Sequence, residues 1–114
     1  MEVALGDAGE DQLTQTLFAL AHPVRRELLD LVRRAPTRVT ELAARFQMSL
    51  PAVSRHIRVL DQARIVERRV VGRDHFIAPA AGGLSDVADW VTGRSGEWQA
   101  RLVALKALME TPDG

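Results

Sequence analysis

Between Ser49 and Ala63 the chain reads Ser-Leu-Pro-Ala-Val-Ser-Arg-His-Ile-Arg-Val-Leu-Asp-Gln-Ala, a run of short polar groups and arginines set among aliphatics. At about 100° per residue, Val53, Ile57 and Leu60 fall within about 60° of one another and form a stripe to be buried. Pro51, Arg55, Arg58 and Gln62 lie opposite, with Ser54 on their flank. The chemistry this permits is hydrogen bonding and charge pairing, as in a DNA major groove, where such groups meet base edges and phosphates. An ordinary amphipathic surface helix has the same pattern, so the neighbouring elements must discriminate. Bond-making chemistry is not expected. Ser54 and His56 point about 160° apart on a helix and cannot act as nucleophile and base. The chain has no cysteine, no glycine-rich phosphate loop and no metal-ligand spacing. The sequence therefore predicts no enzyme, no metal and no cofactor.

The elements that must position this run are legible around it. Ser49 suits an N-cap, and Pro51 is tolerated in the first turn, where its missing N–H costs nothing. Thr40 is the expected cap of a short helix from Glu41 to Phe46, with Gln47 and Met48 as the turn before Ser49. Short helix, tight turn and second helix is the spacing of a helix-turn-helix. Upstream, Leu13, Leu17 and Leu20 recur at helical spacing over Gln12–Ala21. Pro23 stops that helix and opens the next, Val24–Arg34, with His22 as its cap and Leu28, Leu31 and Val32 on its apolar side. Ala35 to Val39 reads as a connection, and Met1 to Asp11 as a mobile arm. Downstream, Ile65–Val71 and Arg73–Ala78 are β-prone runs around Gly72, a hairpin closed by Pro79. Its tip, with Arg68, Arg69 and Arg73, can reach phosphates or a minor groove as a wing; the alternative is a hairpin whose arginines are merely solvated.

Residues 80–83 are a small-residue linker. Beyond it Leu84, Val87, Ala88 and Val91 form one helical stripe and Trp98, Leu102, Leu105 and Met109 another. Gly93 and Gly96 between them predict a kinked or divided helix. So short a chain has little left to cover these residues. A second copy is the economical cover, since a two-fold interface is self-complementary; the alternative is a tail folded back on its own domain. The expected interface comprises Leu13, Leu17, Trp90, Val91, Trp98, Leu102, Leu105 and Met109. The fold predicted is mainly α with a small β-hairpin (α+β): four helices, two strands and a final helix, with an arm over 1–11, a winged helix-turn-helix over 12–79 and dimerisation helices over 80–110.

Net charge is zero over 114 residues, but the sum hides a partition. From His22 to Ala78 there are twelve arginines against six carboxylates, so that segment is +6 and the ends together −6. A basic middle suits a polyanion. The acidic start lacks the basic and apolar regions of a signal peptide, no stretch is apolar enough to span a bilayer, and the missing cysteines fit a reducing compartment. A cytoplasmic location is expected.

The residues resemble the ArsR-type (arsenic-repressor-like) winged-helix regulators of bacteria. The resemblance lies in Leu20-Ala21-His22-Pro23-Val24-Arg25-Arg26, in Glu41-Leu42-Ala43, in Ser49 through Leu60 with its Pro51-Ala52-Val53-Ser54-Arg55-His56, and in Ile65-Val66. It implies a homodimeric transcription regulator, usually a repressor, that binds double-stranded DNA at an inverted repeat. It also implies base-reading positions at Leu50, Pro51, Ser54, Arg55 and His56, with Arg58 on phosphate. His56 lies about 60° from the buried stripe, where it would bridge core and phosphate. Joined with the elements above, the expected DNA-binding set is Thr40, Ser49, Leu50, Pro51, Ser54, Arg55, His56, Arg58, Arg68, Arg69 and Arg73. The chain departs from many relatives at His22, where they have aspartate, and at Gln47 and Arg64, where they have glycine. A side chain in a left-handed C-cap costs on the order of 1 kcal/mol, so these turns are expected to be reshaped. Metal-sensing relatives use a cysteine pair where this chain has Ala43 and Ala44, or histidines on the last helix, which has Asp86, Asp89 and Glu97 but no histidine. Any effector would be organic, redox-independent or absent. A winged helix used for protein contact is the alternative function, and its expected mark would be a neutral or apolar outer face where this chain carries Arg55 and Arg58.

Overall fold

A computed structural model describes residues 8–110. Helix α1 (Ala8–Leu20) is followed by α2 (Pro23–Arg34), strand β1 (Thr37–Arg38), α3 (Val39–Phe46), α4 (Leu50–Gln62), strands β2 (Val66–Val71) and β3 (Asp74–Pro79), and α5 (Ser85–Glu110). The expected N-terminal arm falls partly on α1, which begins four residues before Gln12; its first seven residues lie outside the described part.

The caps explain most boundaries. His22 Nδ1 accepts the Val24 N–H at 3.1 Å, and Pro23 opens α2, as the sequence predicted. Ser49 Oγ accepts the Ala52 N–H at 3.3 Å at the start of α4. Thr40 is not a cap: α3 starts at Val39, with Arg38 as an N-cap lacking a side-chain bond. Val39 is buried, and its place in the core draws the helix start two positions toward the N-terminus, from Glu41 to Val39.

One core gathers Leu28 and Val32 of α2, Leu42 of α3, Val53, Ile57 and Leu60 of α4, and Ile65, Val66 and Ile77 of the sheet region. Burying a residue of this size stabilises by about 1.5–3 kcal/mol. The hairpin is as expected, with Val71 opposite Asp74 and all of β2 antiparallel to β3. Gly72 has φ +64° while Arg73 stays at negative φ, the pattern of a type II′ turn. The connection after α2 holds the unexpected strand: Thr37 pairs with Ile77 and Arg38 with Phe76, giving the sheet order β1-β3-β2. Two residues have no alternation to read, and only β3 makes them a strand.

Of the two outcomes expected at Gly93 and Gly96, a kink or a division, the division does not occur: helix α5 runs through both. Continuity matters because it brings Val87, Val91, Trp98, Leu102, Leu105 and Met109 within about 60° of one another along one face. The helix is about 39 Å long, packs on α1, and has no buried residue. The molecule accordingly extends 73 Å along its longest axis.

Candidate nucleic-acid interface

Two turns aim α4. At Gln47 (φ 54°) the chain takes the left-handed conformation, with Gln47 N–H donating to the Ala44 carbonyl and Met48 N–H to that of Ala43. At Arg64 (φ 61°) it does so again, with Arg64 N–H donating to Asp61 and Ile65 N–H to Leu60. Both are Schellman closures. The turns expected to be reshaped for want of glycine instead keep that geometry, with the carbonyls at the ends of α3 and α4 satisfied.

Between the first turn of α3, the N-terminal half of α4 and the hairpin lies a cleft of about 240 Å³. Thr40, Leu50, Ser54, Arg68 and Arg73, five residues of the expected set, line it together with Arg38, Val39, Asp74 and His75. Ser49, Pro51, Arg55 and Arg58 are exposed on the same helix and its cap. Among the described residues neither Arg55 nor Arg58 has an ion-pair partner, whereas Arg38 bridges Glu41 and Asp74 at 3.5 Å each. Cations left without a carboxylate on an exposed face suit phosphates.

Two expected residues stand elsewhere. Arg69 alternates with Arg68 and so lies on the other hairpin face, 3.4 Å from Glu67. The half-buried His56 turns toward α2: its ring sits 4.6 Å from that of His22, and its Nδ1 lies 3.4 Å from Arg25 Nη1. Burial, then the neighbouring His22, Arg25 and Arg55, hold its pKa below the ordinary imidazole range.

Arg25 is the residue that the sequence reading passed over. Its guanidinium is buried, donating from Nε to the Ala19 carbonyl at 2.6 Å and from Nη2 to that of Phe18 at 3.2 Å. It thereby closes the C-terminus of α1 and braces α4 through His56. A signal existed: Arg25 falls on the Leu28 and Val32 face of α2, an unusual place for a cation. Arg38, missed as part of a connection, has its guanidinium 5.5 Å from the Phe76 ring centre.

Among the described residues no three His, Cys, Asp or Glu side chains converge in a way that could hold a metal ion, and no helix is long and apolar enough to cross a membrane.

A family model described as "Bacterial regulatory protein, arsR family" matches residues 22–68, the span from the cap of α2 into β2. Among characterised proteins, the transcriptional repressor SdpR of Bacillus subtilis is 27% identical over 73 residues, 64% of this chain and 81% of that protein. The HTH-type transcriptional regulator Rv2034 of Mycobacterium tuberculosis is 43% identical over 54 residues, 47% of this chain and 50% of that protein. Among solved structures, the ArsR family transcriptional regulator RHA00566 superposes with a TM-score of 0.71 at 31% identity, over 78% of this chain and 92% of that one. The Mycobacterium bovis protein Mb0332, described as a homodimeric winged helix-turn-helix DNA-binding domain, shares the fold at 24% identity with a TM-score of 0.64, over 99% of this chain and 96% of that one. With the tight turn between α3 and α4 and the hairpin beside it, these similarities establish that the chain belongs to the ArsR family of bacterial regulatory proteins, a transcriptional regulator with a winged helix-turn-helix DNA-binding domain.

Proposed function

We propose that the chain is a homodimeric repressor whose two α4 helices enter successive major grooves of an inverted-repeat operator, with the β2–β3 hairpin as wing. The observation that carries this reading is the cleft joining Thr40, Leu50, Ser54, Arg68 and Arg73 beside the exposed Arg55 and Arg58. Arg68, Arg73 and Arg58 hold phosphates and fix register; Ser54 and Arg55, with Leu50 and Pro51 at the helix start, read base edges. SdpR, named a repressor, supports the direction of regulation, and the homodimeric Mb0332 domain supports the assembly. Leu13, Leu17, Val91, Trp98, Leu102, Leu105 and Met109 form the interface, with Trp90 on its flank under the Arg94 guanidinium. Half-sites then lie about 10 bp apart or a multiple of that.

Selection of genomic fragments followed by anisotropy titration tests the reading. Arg55→Ala is expected to lose about 1–3 kcal/mol on the selected site and little on random duplex. Equal binding of wild type and variant to the selected site removes Arg55 from base reading; no retention of any duplex at low salt overturns the proposal.

A further inference from the structure

We propose that His56 is a proton-responsive positioning residue of α4: neutral, it rests on His22 and faces Arg25 and so braces the helix; protonated, it is expelled, and DNA affinity falls on acidification. This rests on the DNA-binding reading above.

The geometry leaves the proton little room. Arg25 is fastened to α1 through the carbonyls of Ala19 and Phe18, and its remaining Nη1 is directed at His56 Nδ1, 3.4 Å away. A guanidinium only donates, so this His56 nitrogen carries the lone pair and the N–H sits on Nε2. The His22 ring, 4.6 Å off and tilted by 53°, is committed as well, because its Nδ1 accepts the Val24 N–H at the head of α2. A proton on His56 Nδ1 would oppose one donor with another beside a buried cation that keeps its charge. Arg25 is held by two carbonyls and cannot yield, so the imidazole must leave.

The titratable and charged groups acting on His56 are His22 and Arg25 from the α2 region and Arg55 from its own helix, with no carboxylate among them. From α1 come the Phe18 and Ala19 carbonyls, which Arg25 occupies. Burial and these neighbours depress the folded-state pKa of His56. A histidine so depressed contributes stability that is present above the unfolded imidazole pKa of about 6.5 and is lost as pH falls through it toward the folded value. The brace therefore weakens in mild acid. Were His56 instead a plain phosphate contact, acidification would charge it and strengthen binding, so the sign separates the two roles.

The test follows the His56 ring by NMR in the full chain, its unfolding in urea, and its affinity for the selected duplex, each from about pH 7.5 to 5.5. H56Q supplies an amide oxygen that accepts from Arg25 without titrating, and comparison with it subtracts every pH effect that does not come from His56. H22N keeps a good cap while removing the neighbouring imidazole. The wild type should titrate below the ordinary range and lose affinity on acidification, with a limiting slope of about tenfold per pH unit per subunit. H56Q should lack that component, and H22N should move the His56 midpoint upward. A midpoint at or above the ordinary range, an affinity that rises in acid, or identical profiles for wild type and H56Q overturns the proposal. A chain that binds no duplex at any pH refutes the DNA reading and the affinity half of this proposal. The ring titration and the unfolding profile then decide whether the brace exists.

Discussion

Replacing Arg64 with glycine is expected to stabilise the protein, although a charged residue beside α4 is lost. Arg64 sits at φ 61° in the closure of α4. A side chain in that conformation costs on the order of 1–2 kcal/mol, because Cβ crowds the following carbonyl. Glycine removes the cost but has more freedom to lose on folding, roughly 0.5–1 kcal/mol. The difference favours glycine by about 0.5–1 kcal/mol. Little offsets it: Arg64 is exposed, and among the described residues its side chain has no ion-pair partner. Gln47 at φ 54° is the same case at the other end of α4. The two sites are about 20 Å apart along that helix, so the double variant should gain about 1–2 kcal/mol by addition. The assay is urea unfolding at matched protein concentration, with Arg64→Ala as control, since alanine removes the charge and keeps the strain. Glycine should exceed alanine by about 1 kcal/mol, or about 4 °C in thermal midpoint. An Arg64→Gly protein no more stable than Arg64→Ala refutes the strain argument.

Further predictions concern packing and assembly. Arg25→Ala removes two charge-assisted bonds to the end of α1 and should destabilise by about 3 kcal/mol or more; Arg25→Lys should recover only part, lacking the planar fork. Both are read by chemical denaturation. Gly83→Ala should cost about 1–3 kcal/mol in the same assay, because a Cβ there would lie 2.9 Å from Ile65 Cα and 3.0 Å from its carbonyl oxygen, backbone atoms that cannot swing aside. Trp98→Glu places a charge in the continuous α5 stripe and should shift sedimentation toward monomer while far-ultraviolet circular dichroism stays unchanged, since α5 contributes nothing to the core of its own chain. An unchanged sedimentation coefficient would contradict the proposed interface.

The expected DNA-binding set divides according to what a sequence can encode locally. Ser49 was legible as a cap because a short polar side chain ahead of a helical stripe satisfies its own neighbour's N–H, as was His22, outside that set, by its place before Pro23. Thr40 carried the same local signal and lost, since burying Val39 outweighs a cap. Leu50 and Ser54 could be placed on α4 by angle alone, but their meeting with Arg68 and Arg73 across a cleft could not. Arg69 shows the reverse. Beside Arg68 in sequence, it lies on the opposite face of the hairpin, a consequence of strand alternation once the register is set.

Periodicity and punctuation in this chain determined most of the helices and the hairpin with its glycine turn, because each depends on neighbours within a turn or two, and the count of charges gave the basic middle. Tertiary structure alone decided the rest. The β1 pairing exists only where β3 passes, the burial of Arg25 only where the α1 carbonyls end, and the turn of His56 toward His22 only where α2 crosses α4. These contacts join residues as much as forty positions apart, and no local spacing specifies a partner that the chain must fold to meet.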